Sequence, residues 1–352
     1  MARPGRRRWR VGMHDLSKLE RLLPDAVLLA FFRWAVGTSH VALCLHRVCQ
    51  SPARPAWMSM PVQELDRLLE LAVAARPMTK DRWLTVCFDD GYADAAEYVA
   101  QRAPGFPGVE WLVFICPEKI EKRTGFRWDL LDEYGRPPSD AKLFAPFDLE
   151  RENDRDDLRD VATQPEFRIV TLAQCRLLQA IPNVLLGNHT NVHPKLVLLT
   201  PEQASREFLR SAQAFERLFG KQEHFAIPFG TPEEDFDESH VALLRALTRA
   251  RIWSTEPRPF RPSERVLGAT LPRFALDGRW SARQHLLFIA LSALRCRLTE
   301  AASARLPAPP EATASATARA PRPRVSAEGR PWLRAPGPSR RRRPAAADRA
   351  AR

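Results

Sequence analysis

The sequence predicts an α/β protein in which helices cover a parallel β-sheet. Two apolar runs of strand character, residues 83–88 and 109–116, flank a short helical segment at 93–102. Strand, helix and strand in this order favour parallel strands joined by right-handed crossovers. The chain has 352 residues, 45% of them hydrophobic, which suffices for one large domain with a substantial core or for two smaller ones.

The same alternation continues along the chain. Buried strands are predicted where apolar runs end in polar residues, at 40–48, 83–88, 109–116, 183–190, 224–230, 251–255 and 269–278. Helices are predicted from apolar residues at helical spacing, at 16–34, 61–75, 93–102, 172–179, 201–219 and 239–249. Residues 118–167 are polar and rich in Asp and Arg, so we interpret them as an insertion or a set of mobile loops over one end of the sheet.

The net charge of +12 is carried by the two ends of the chain. Residues 301–352 contain twelve arginines and three acidic residues, a net charge of +9, and the first ten residues add +5. Residues 11–300 are therefore left with −2, which argues against a nucleic-acid-binding face on the folded part. The Pro-, Ala- and Arg-rich segment 299–352 has almost no large apolar residues and is predicted to be a disordered basic tail.

Six cysteines without a C-x-x-C pair indicate free thiols in a reducing compartment. Cys44, Cys87 and Cys116 lie in apolar runs and are expected in the core. The apolar patch at 25–37 is interrupted by Arg33 and is too short to span a bilayer, so it fits a buried or membrane-surface helix better than a signal peptide. We therefore expect a cytoplasmic protein, or one at the inner membrane face.

Two polar motifs follow predicted strands. Asp89 and Asp90 are adjacent at the end of one apolar run, and His189 and His193 follow another. Histidines four residues apart face the same side of a helical turn, and two histidines with one carboxylate form a usual ligand set for zinc. Each motif alone has an ordinary explanation, a turn for D-D-G and an exposed or capping pair for H-x-x-x-H. Together, at the carboxyl ends of strands, they predict a site.

These residues resemble the polysaccharide deacetylase family, carbohydrate esterase family 4. CFDDG resembles the family motif T-F-D-D-G, HTNVH matches H-[ST]-x-x-H, and IPFG resembles the motif that ends in P-Y-G. CLHRV is similar to a Y-H-R-V strand of many bacterial members, and the resemblance covers about residues 40–290. It implies a distorted (β/α)₇ barrel, with a basic arm and helix at 1–38, a catalytic domain at 39–298 and the tail at 299–352.

The resemblance also implies roles. Asp90, His189 and His193 would bind the metal, most often Zn, with Co, Ni or Mn as alternatives. Asp89 would be the general base for a metal-activated water, and Phe229, at the P-Y-G tyrosine position, would donate its backbone N–H to the oxyanion. The chain departs from the family at Ala226, where many members have an arginine.

The general acid is a second departure, because the family's late L-x-H motif is missing. His285 is the only histidine after residue 250 and is the candidate for this role, although a lone histidine on a helix is more often structural. Two further residues have two interpretations each, and a third has one. His46 either lines the barrel or is structural, Trp128 either stacks on a sugar or anchors the insertion, and Arg273 could support Asp89.

The predicted function is hydrolysis of a linear amide other than a peptide, the N-acetyl group of an amino sugar in an oligosaccharide, polysaccharide or glycolipid. One alternative is an inactive protein of the same fold that binds carbohydrate. A glycoside hydrolase fits less well, because its two carboxylates stand about 5 Å or more apart across the sugar. The expected partner is an N-acetylated carbohydrate. The basic termini could contact a membrane surface, and specific nucleic-acid binding is not expected.

Overall fold

A computed structural model of the chain describes residues 13–50, 58–76, 82–130, 148–265 and 270–303. The helices in these ranges are α1 (Met13–Leu22), α2 (Asp25–Val36), α3 (Val62–Ala75), α4 (Ala93–Arg102), α5 (Pro117–Lys122), α6 (Arg127–Leu130), α7 (Asp156–Val161), α8 (Leu172–Gln179), α9 (Pro201–Phe219), α10 (Glu238–Leu247) and α11 (Ala282–Ser303). The strands are β1 (Val41–Leu45), β2 (Arg47–Cys49), β3 (Ser59–Pro61), β4 (Leu84–Phe88), β5 (Glu110–Ile115), β6 (Val184–Asn188), β7 (His224–Ala226), β8 (Arg251–Trp253) and β9 (Phe274–Ala275).

Seven of these strands form one parallel sheet in the order β8-β7-β6-β5-β4-β1-β9. The two edges of the sheet approach each other through Leu271, which lies three residues before β9. The Leu271 N–H donates to the Ile252 carbonyl at 2.7 Å, and the Leu271 carbonyl accepts from the Ser254 N–H at 2.9 Å. The sheet is thus curled into the predicted distorted (β/α)₇ barrel, and the fold class is confirmed.

The strands are buried on both faces, as parallel strands beneath helices must be. Every residue of β1, β4 and β5 is buried. Their outward side chains join the helices α2, α3 and α11 in one large core, and their inward side chains fill the barrel around Phe114 and Trp253. The cysteines expected in the core, Cys44, Cys87 and Cys116, are buried free thiols.

One helix predicted from the sequence is divided into two helices in the structure. The pattern at 16–34 was expected to form a single helix, but the structure ends α1 at Leu22 and begins α2 at Asp25. Pro24 separates them with φ −59°, because its ring has no N–H to donate and disfavours helical geometry in the residue before it. Leu28 and Phe32 of α2 belong to the same core as the outer face of the barrel.

The predicted tail, 299–352, lies outside the described residues beyond Ser303, and α11 runs five residues past the predicted boundary at 298. The domain boundaries therefore stay predictions. No helix within the described ranges is long and apolar enough to cross a membrane.

Candidate metal centre and active site

Side-chain alternation along the strands decides which residues enter the barrel. In β4, Val86 packs outward and Cys87 packs inward. Because side chains of a strand alternate with a period of two, Asp89 follows Cys87 on the inner side. In β6, Gly187 occupies an inner position, where an added Cβ would lie 2.4 Å from the Phe114 ring, and His189 follows it. The strand period therefore carries Asp89 and His189 to the same end of the barrel interior.

Left-handed backbone conformations gather around these residues. Among the described residues, six other than glycine have a positive φ, and four of them flank the site: Asp90 (71°), Thr190 (65°), His193 (58°) and Phe229 (58°). Such conformations cost free energy in non-glycine residues and persist where the surroundings enforce them. They let the loop after β4 (residues 89–92, the aspartate loop) and the loop after β6 (residues 189–193, the histidine loop) turn successive side chains inward.

Asp90, His189 and His193 form a buried cluster in which one ligand atom from each lies within 4.8 Å of the others. The Asp90 Oδ1 is 3.5 Å from His189 Nε2 and 3.3 Å from His193 Nε2, and the two Nε2 atoms are 3.1 Å apart. The two histidines converge through the non-helical histidine loop, whereas a helical turn was expected. The convergence itself is as the spacing predicted.

The donor set fits a divalent metal. The Nδ1 of His189 is 2.8 Å from the Ala226 carbonyl, so it carries the proton and leaves Nε2 with a lone pair facing the cluster. Both carboxylate oxygens of Asp90 are buried without a hydrogen-bond partner among the described residues. Buried polar atoms without partners are costly, and a cation bound by one carboxylate and two imidazoles would satisfy these.

The electrostatics of the cluster match that donor set. Burial lowers the pKa of His193 to about 3, which keeps its imidazole neutral and able to coordinate. Burial opposes ionisation of Asp90, yet its position beside the His193 and His189 imidazoles lowers the pKa of the carboxyl. The neutral ring and the ionised carboxylate are the protonation states that metal binding requires.

Asp89 is held by two side chains that do not reach Asp90. Arg273 Nη1 donates to Asp89 Oδ1 at 2.6 Å, and Cys44 Sγ donates to Oδ2 at 3.3 Å. Burial opposes ionisation of Asp89, yet the Arg273 guanidinium holds its pKa well below the usual range. His189 Nε2 lies 3.8 Å from Oδ2, so this oxygen faces the cluster. The contact agrees with the expectation that Arg273 supports Asp89, a role for which Ala226 has no charged group.

The histidine loop is fixed by side chains that bind its backbone. Asn188 Oδ1 accepts from the Thr190 N–H at 2.9 Å, and Thr190 Oγ1 accepts from the His193 N–H at 3.1 Å. Glu207, buried in α9, accepts from the N–H groups of Asn191 and Val192 through one oxygen, at 2.7 and 2.9 Å. These bonds set the direction in which the two imidazoles point.

An aromatic wall closes one side of the cluster. Trp128 stacks on Phe126 at 4.5 Å between ring centroids and meets the His193 ring edge-on at 4.8 Å. Its Nε1 donates to the Tyr92 hydroxyl at 2.8 Å. Phe229 approaches His193 from another side at 4.7 Å. These contacts agree with the interpretation that Trp128 anchors the insertion. The described part of the insertion therefore borders the site.

Two histidines are candidates for the general acid. His285 is buried in α11, with Nε2 3.0 Å from the Asp277 carbonyl and its ring against Trp280. Burial lowers its pKa to about 4, and within the described part of the chain it makes no contact with the cluster. His46 is half-buried directly after β1, and it is electrostatically coupled to Asp89, Asp90 and His193.

Sequence reasoning missed the parts played by Cys44 and Glu207. Cys44 was expected only as a core residue, and no pattern marks a thiol that donates to a carboxylate 45 positions away. Glu207 did leave a signal, because it stands on the apolar stripe of α9 between Ala204 and Ser211. A charge on the buried face of a helix needs a partner and is a candidate for a role in a site.

Comparison with known proteins gives one family. The family model described as polysaccharide deacetylase matches residues 173–248. This span contains His189, His193 and Phe229, and it begins after the aspartate loop. No curated protein matches the chain.

The chain is also similar, at low identity, to several solved structures. A polysaccharide deacetylase from Bacillus cereus is 13% identical with a TM-score of 0.45, covering 71% of this chain and 69% of its own. The deacetylase PplD of Streptococcus pyogenes, in complex with acetate, is 12% identical with a TM-score of 0.46, covering 71% and 98%. IcaB from Ammonifex degensii is 18% identical with a TM-score of 0.44, covering 73% and 98%. The match of the polysaccharide deacetylase model to residues 173–248 supports the resemblance seen in the sequence motifs.

Proposed function

We propose that this protein is a metal-dependent hydrolase that removes the N-acetyl group from an amino sugar. The observation that carries the proposal is the buried convergence of Asp90, His189 and His193 beside the Asp89–Arg273 ion pair. A divalent metal, Zn before Co, Ni or Mn, would lower the pKa of a water molecule and polarise the amide carbonyl when bound there.

Asp89 would take the proton from the attacking water. Its Oδ1 is engaged by Arg273, and its Oδ2 faces the cluster with capacity to accept beyond the bond from Cys44. The depressed pKa keeps the Asp89 carboxylate ionised. A base must lie within hydrogen-bond reach of the proton that it removes, and Asp89 Oδ2 meets this condition for water at the cluster.

Phe229 would stabilise the oxygen on which negative charge develops. Its φ of 58° and the bond from Thr255 Oγ1 to its carbonyl, at 2.8 Å, fix the backbone at this point. A fixed N–H needs no reorganisation during the reaction, which is the basis of oxyanion stabilisation. Trp128 and Phe229, both packed against His193, would exclude bulk water and border the acyl group.

The substrate class follows from this chemistry and from the family match. An N-acetylated amino sugar within an oligosaccharide, polysaccharide or glycolipid offers the amide, and the insertion bordering His193 would contribute to its selection. His285 was the candidate acid from the sequence. His46, half-buried directly after β1 and electrostatically coupled to Asp89, Asp90 and His193, is the candidate that we propose instead. Cytoplasmic placement, at the inner membrane face or away from it, stays part of the proposal.

Metal analysis with acetate release on N-acetylglucosamine oligomers and other N-acetyl sugars tests the proposal. We expect about one equivalent of divalent metal per chain, acetate release, and loss of both after chelation with recovery on adding Zn²⁺. Bound metal without hydrolysis of any acetylated sugar, but with saturable binding of one of them, would favour the inactive carbohydrate-binding alternative. Hydrolysis that survives chelation would contradict the proposal.

A further inference from the structure

The two histidines of the cluster are held in different ways. The Nδ1 of His189 lies 2.8 Å from the Ala226 carbonyl, which fixes the ring by the hydrogen bond that metal-binding imidazoles commonly make. The Nδ1 of His193 is buried and has no hydrogen-bond partner among the described residues. Thr190 binds the His193 backbone, but the rotation of the His193 ring is left to the side chains that pack against it.

Three aromatic rings pack against His193. The centroids of the Phe229, Trp128 and Phe126 rings lie 4.7, 4.8 and 5.8 Å from that of His193, and each ring meets the imidazole edge-on. Edge-on contacts between aromatic rings are favourable beyond the area that they bury, and they have a preferred geometry. Trp128 and Phe126 also stack on each other at 4.5 Å, so a displacement of this stacked pair would release the His193 ring.

Asp129 fixes both rings of the stacked pair. Its Oδ2 accepts from the Phe126 N–H at 3.0 Å, and its Oδ1 accepts from the Tyr92 hydroxyl at 2.8 Å. The Tyr92 oxygen in turn accepts from Trp128 Nε1 at 2.8 Å. Tyr92 and Asp129 are buried, so these bonds form in surroundings where hydrogen bonds are strong and a lost partner is costly.

The hydrogen bonds of this chain run in one direction. An indole N–H only donates, so the Tyr92 oxygen is its acceptor and the Tyr92 O–H donates onward. An ionised carboxylate only accepts, so Asp129 ends the chain. An amide at this position would turn its NH₂ group towards either the Tyr92 hydroxyl or the Phe126 N–H, and one of these buried donors would lose its acceptor. The chain therefore requires a carboxylate at position 129, beyond a side chain of the same size.

We propose that Asp129 is a positioning residue that acts through Tyr92 and Trp128 to orient the His193 ring for metal binding. Its contacts join the aspartate loop, which contains Tyr92, to the histidine loop, which contains His193. The inference rests on the proposed function in one respect, that the cluster of Asp90 and the two histidines binds a metal. It does not require hydrolysis of a sugar.

NMR of the metal-free, full-length protein tests the positioning without metal or substrate. The protein carries fluorotryptophan and ring-labelled histidine, and Trp128→Phe and His193→Gln identify the two relevant resonances among nine tryptophans and eight histidines. Spectra are recorded at about pH 8, because burial raises the pKa of Asp129 to about 7 and the carboxylate has to be ionised. Asp129→Asn and Tyr92→Phe should each shift both resonances.

Zinc titration of the same variants measures the consequence for the metal site. Asp129→Asn and Tyr92→Phe should each weaken Zn²⁺ binding about tenfold, as changes behind a metal ligand typically do. Because both changes break the same chain, the double variant should bind about as weakly as either single variant, whereas independent effects would multiply to about 10²-fold. Trp128→Leu, which removes the indole ring itself, should weaken binding at least as much as either single change.

Asp66→Asn and Tyr98→Phe are the matched controls. The Tyr98 hydroxyl donates to Asp66 Oδ1 at 2.8 Å, the same distance as in the Tyr92–Asp129 pair, but this bond joins α4 to α3 in the core outside the barrel. Both controls should leave the two resonances and the Zn²⁺ affinity unchanged. Melting temperatures check folding, and Tyr92→Phe, which removes a single oxygen, provides the test if Asp129→Asn does not fold.

A His193 resonance and a Zn²⁺ affinity that stay unchanged in Asp129→Asn and Tyr92→Phe would overturn the inference. Effects of the two changes that multiply in the double variant would overturn it as well. A protein that shows the expected shifts and affinities but releases no acetate would contradict the proposed function alone, because none of these measurements depends on hydrolysis.

Discussion

The aspartate loop and the histidine loop supply the same cluster but are stabilised in different ways. The aspartate loop depends on partners distant in sequence, since Arg273 is 184 positions from Asp89 and Cys44 is 45 positions from it. The histidine loop depends mainly on near neighbours, because Asn188 and Thr190 bind its backbone within three residues. The first loop is therefore a product of barrel closure, and the second is largely a local structure completed by Glu207 from α9.

The largest expected effects separate the two carboxylates of the aspartate loop. Asp90→Ala should empty the metal site, because two histidines alone bind a divalent ion weakly. Asp89→Asn is nearly isosteric and should keep the metal, yet an amide cannot accept a proton from water, so the rate should fall by about 10²- to 10⁴-fold. Zinc titration and acetate release on the same preparations measure both effects. Metal loss in Asp89→Asn with retention in Asp90→Ala would reverse the assigned roles.

The next effect tests the long-range support of the aspartate loop. Arg273→Met leaves the buried Asp89 carboxylate without its cation, which should cost about 3–5 kcal/mol of stability at pH 7. Thermal unfolding of metal-free protein measures it. Arg217→Met is the matched control, because the Arg217–Glu121 pair is solvent-exposed and should contribute only about 0–1 kcal/mol.

The pH dependence of the same variant has a definite sign. The folded-state pKa of Asp89 is depressed, so its pairing stabilises the protein above the unfolded pKa and this stabilisation is lost only as pH falls through the lower folded value. In Arg273→Met, burial without the cation raises that pKa, so protonation relieves the penalty in mild acid. The gap in melting temperature between the two proteins should therefore narrow from pH 7 to about pH 4. A gap that widens would contradict this account.

A third test asks which histidine near the aspartate loop acts as the general acid. His46 directly follows β1, the strand that also supplies Cys44, and it is electrostatically coupled to Asp89. His46→Ala should lower the rate of acetate release by about 10²-fold, the lower range for general acid catalysis, with metal content unchanged. His285→Ala should leave the rate within about threefold while lowering stability, since a buried side chain is lost. The reverse result would assign the acid to His285.

The smallest expected effect lies in the histidine loop. Glu207→Met removes the acceptor of two buried N–H groups at nearly constant volume, which should weaken metal binding about tenfold, as second-shell changes typically do. Glu207→Gln keeps an acceptor oxygen and should restore most of the affinity. Glu216→Met, exposed on the same helix, serves as control. Unchanged affinity in Glu207→Met would mean that the local bonds of Asn188 and Thr190 suffice.

The sequence by itself determined the order of the elements and the location of the chemistry. Apolar periodicity placed α4, α8 and α9 at the bounds that the structure has. The alternation of β4 and β6 directs Asp89 and His189 inward whatever the rest of the fold does, because it depends only on positions along one strand. Strand ends and spacing also predicted a site at Asp90, His189 and His193, but left-handed backbone conformations at Asp90 and His193, which alternation does not predict, accompany their inward turn.

Only the tertiary structure decided which distant groups meet. Arg273 reaches Asp89 because β9 lies beside β1 and β1 beside β4, an order of strands that no local pattern contains. Glu207 meets the histidine loop because α9 packs against β6, and His285 turns to the Asp277 carbonyl because α11 buries it there. Periodicity and motifs depend on covalent spacing, whereas ion pairs and buried hydrogen bonds between remote segments form only when the barrel closes and removes water from around them.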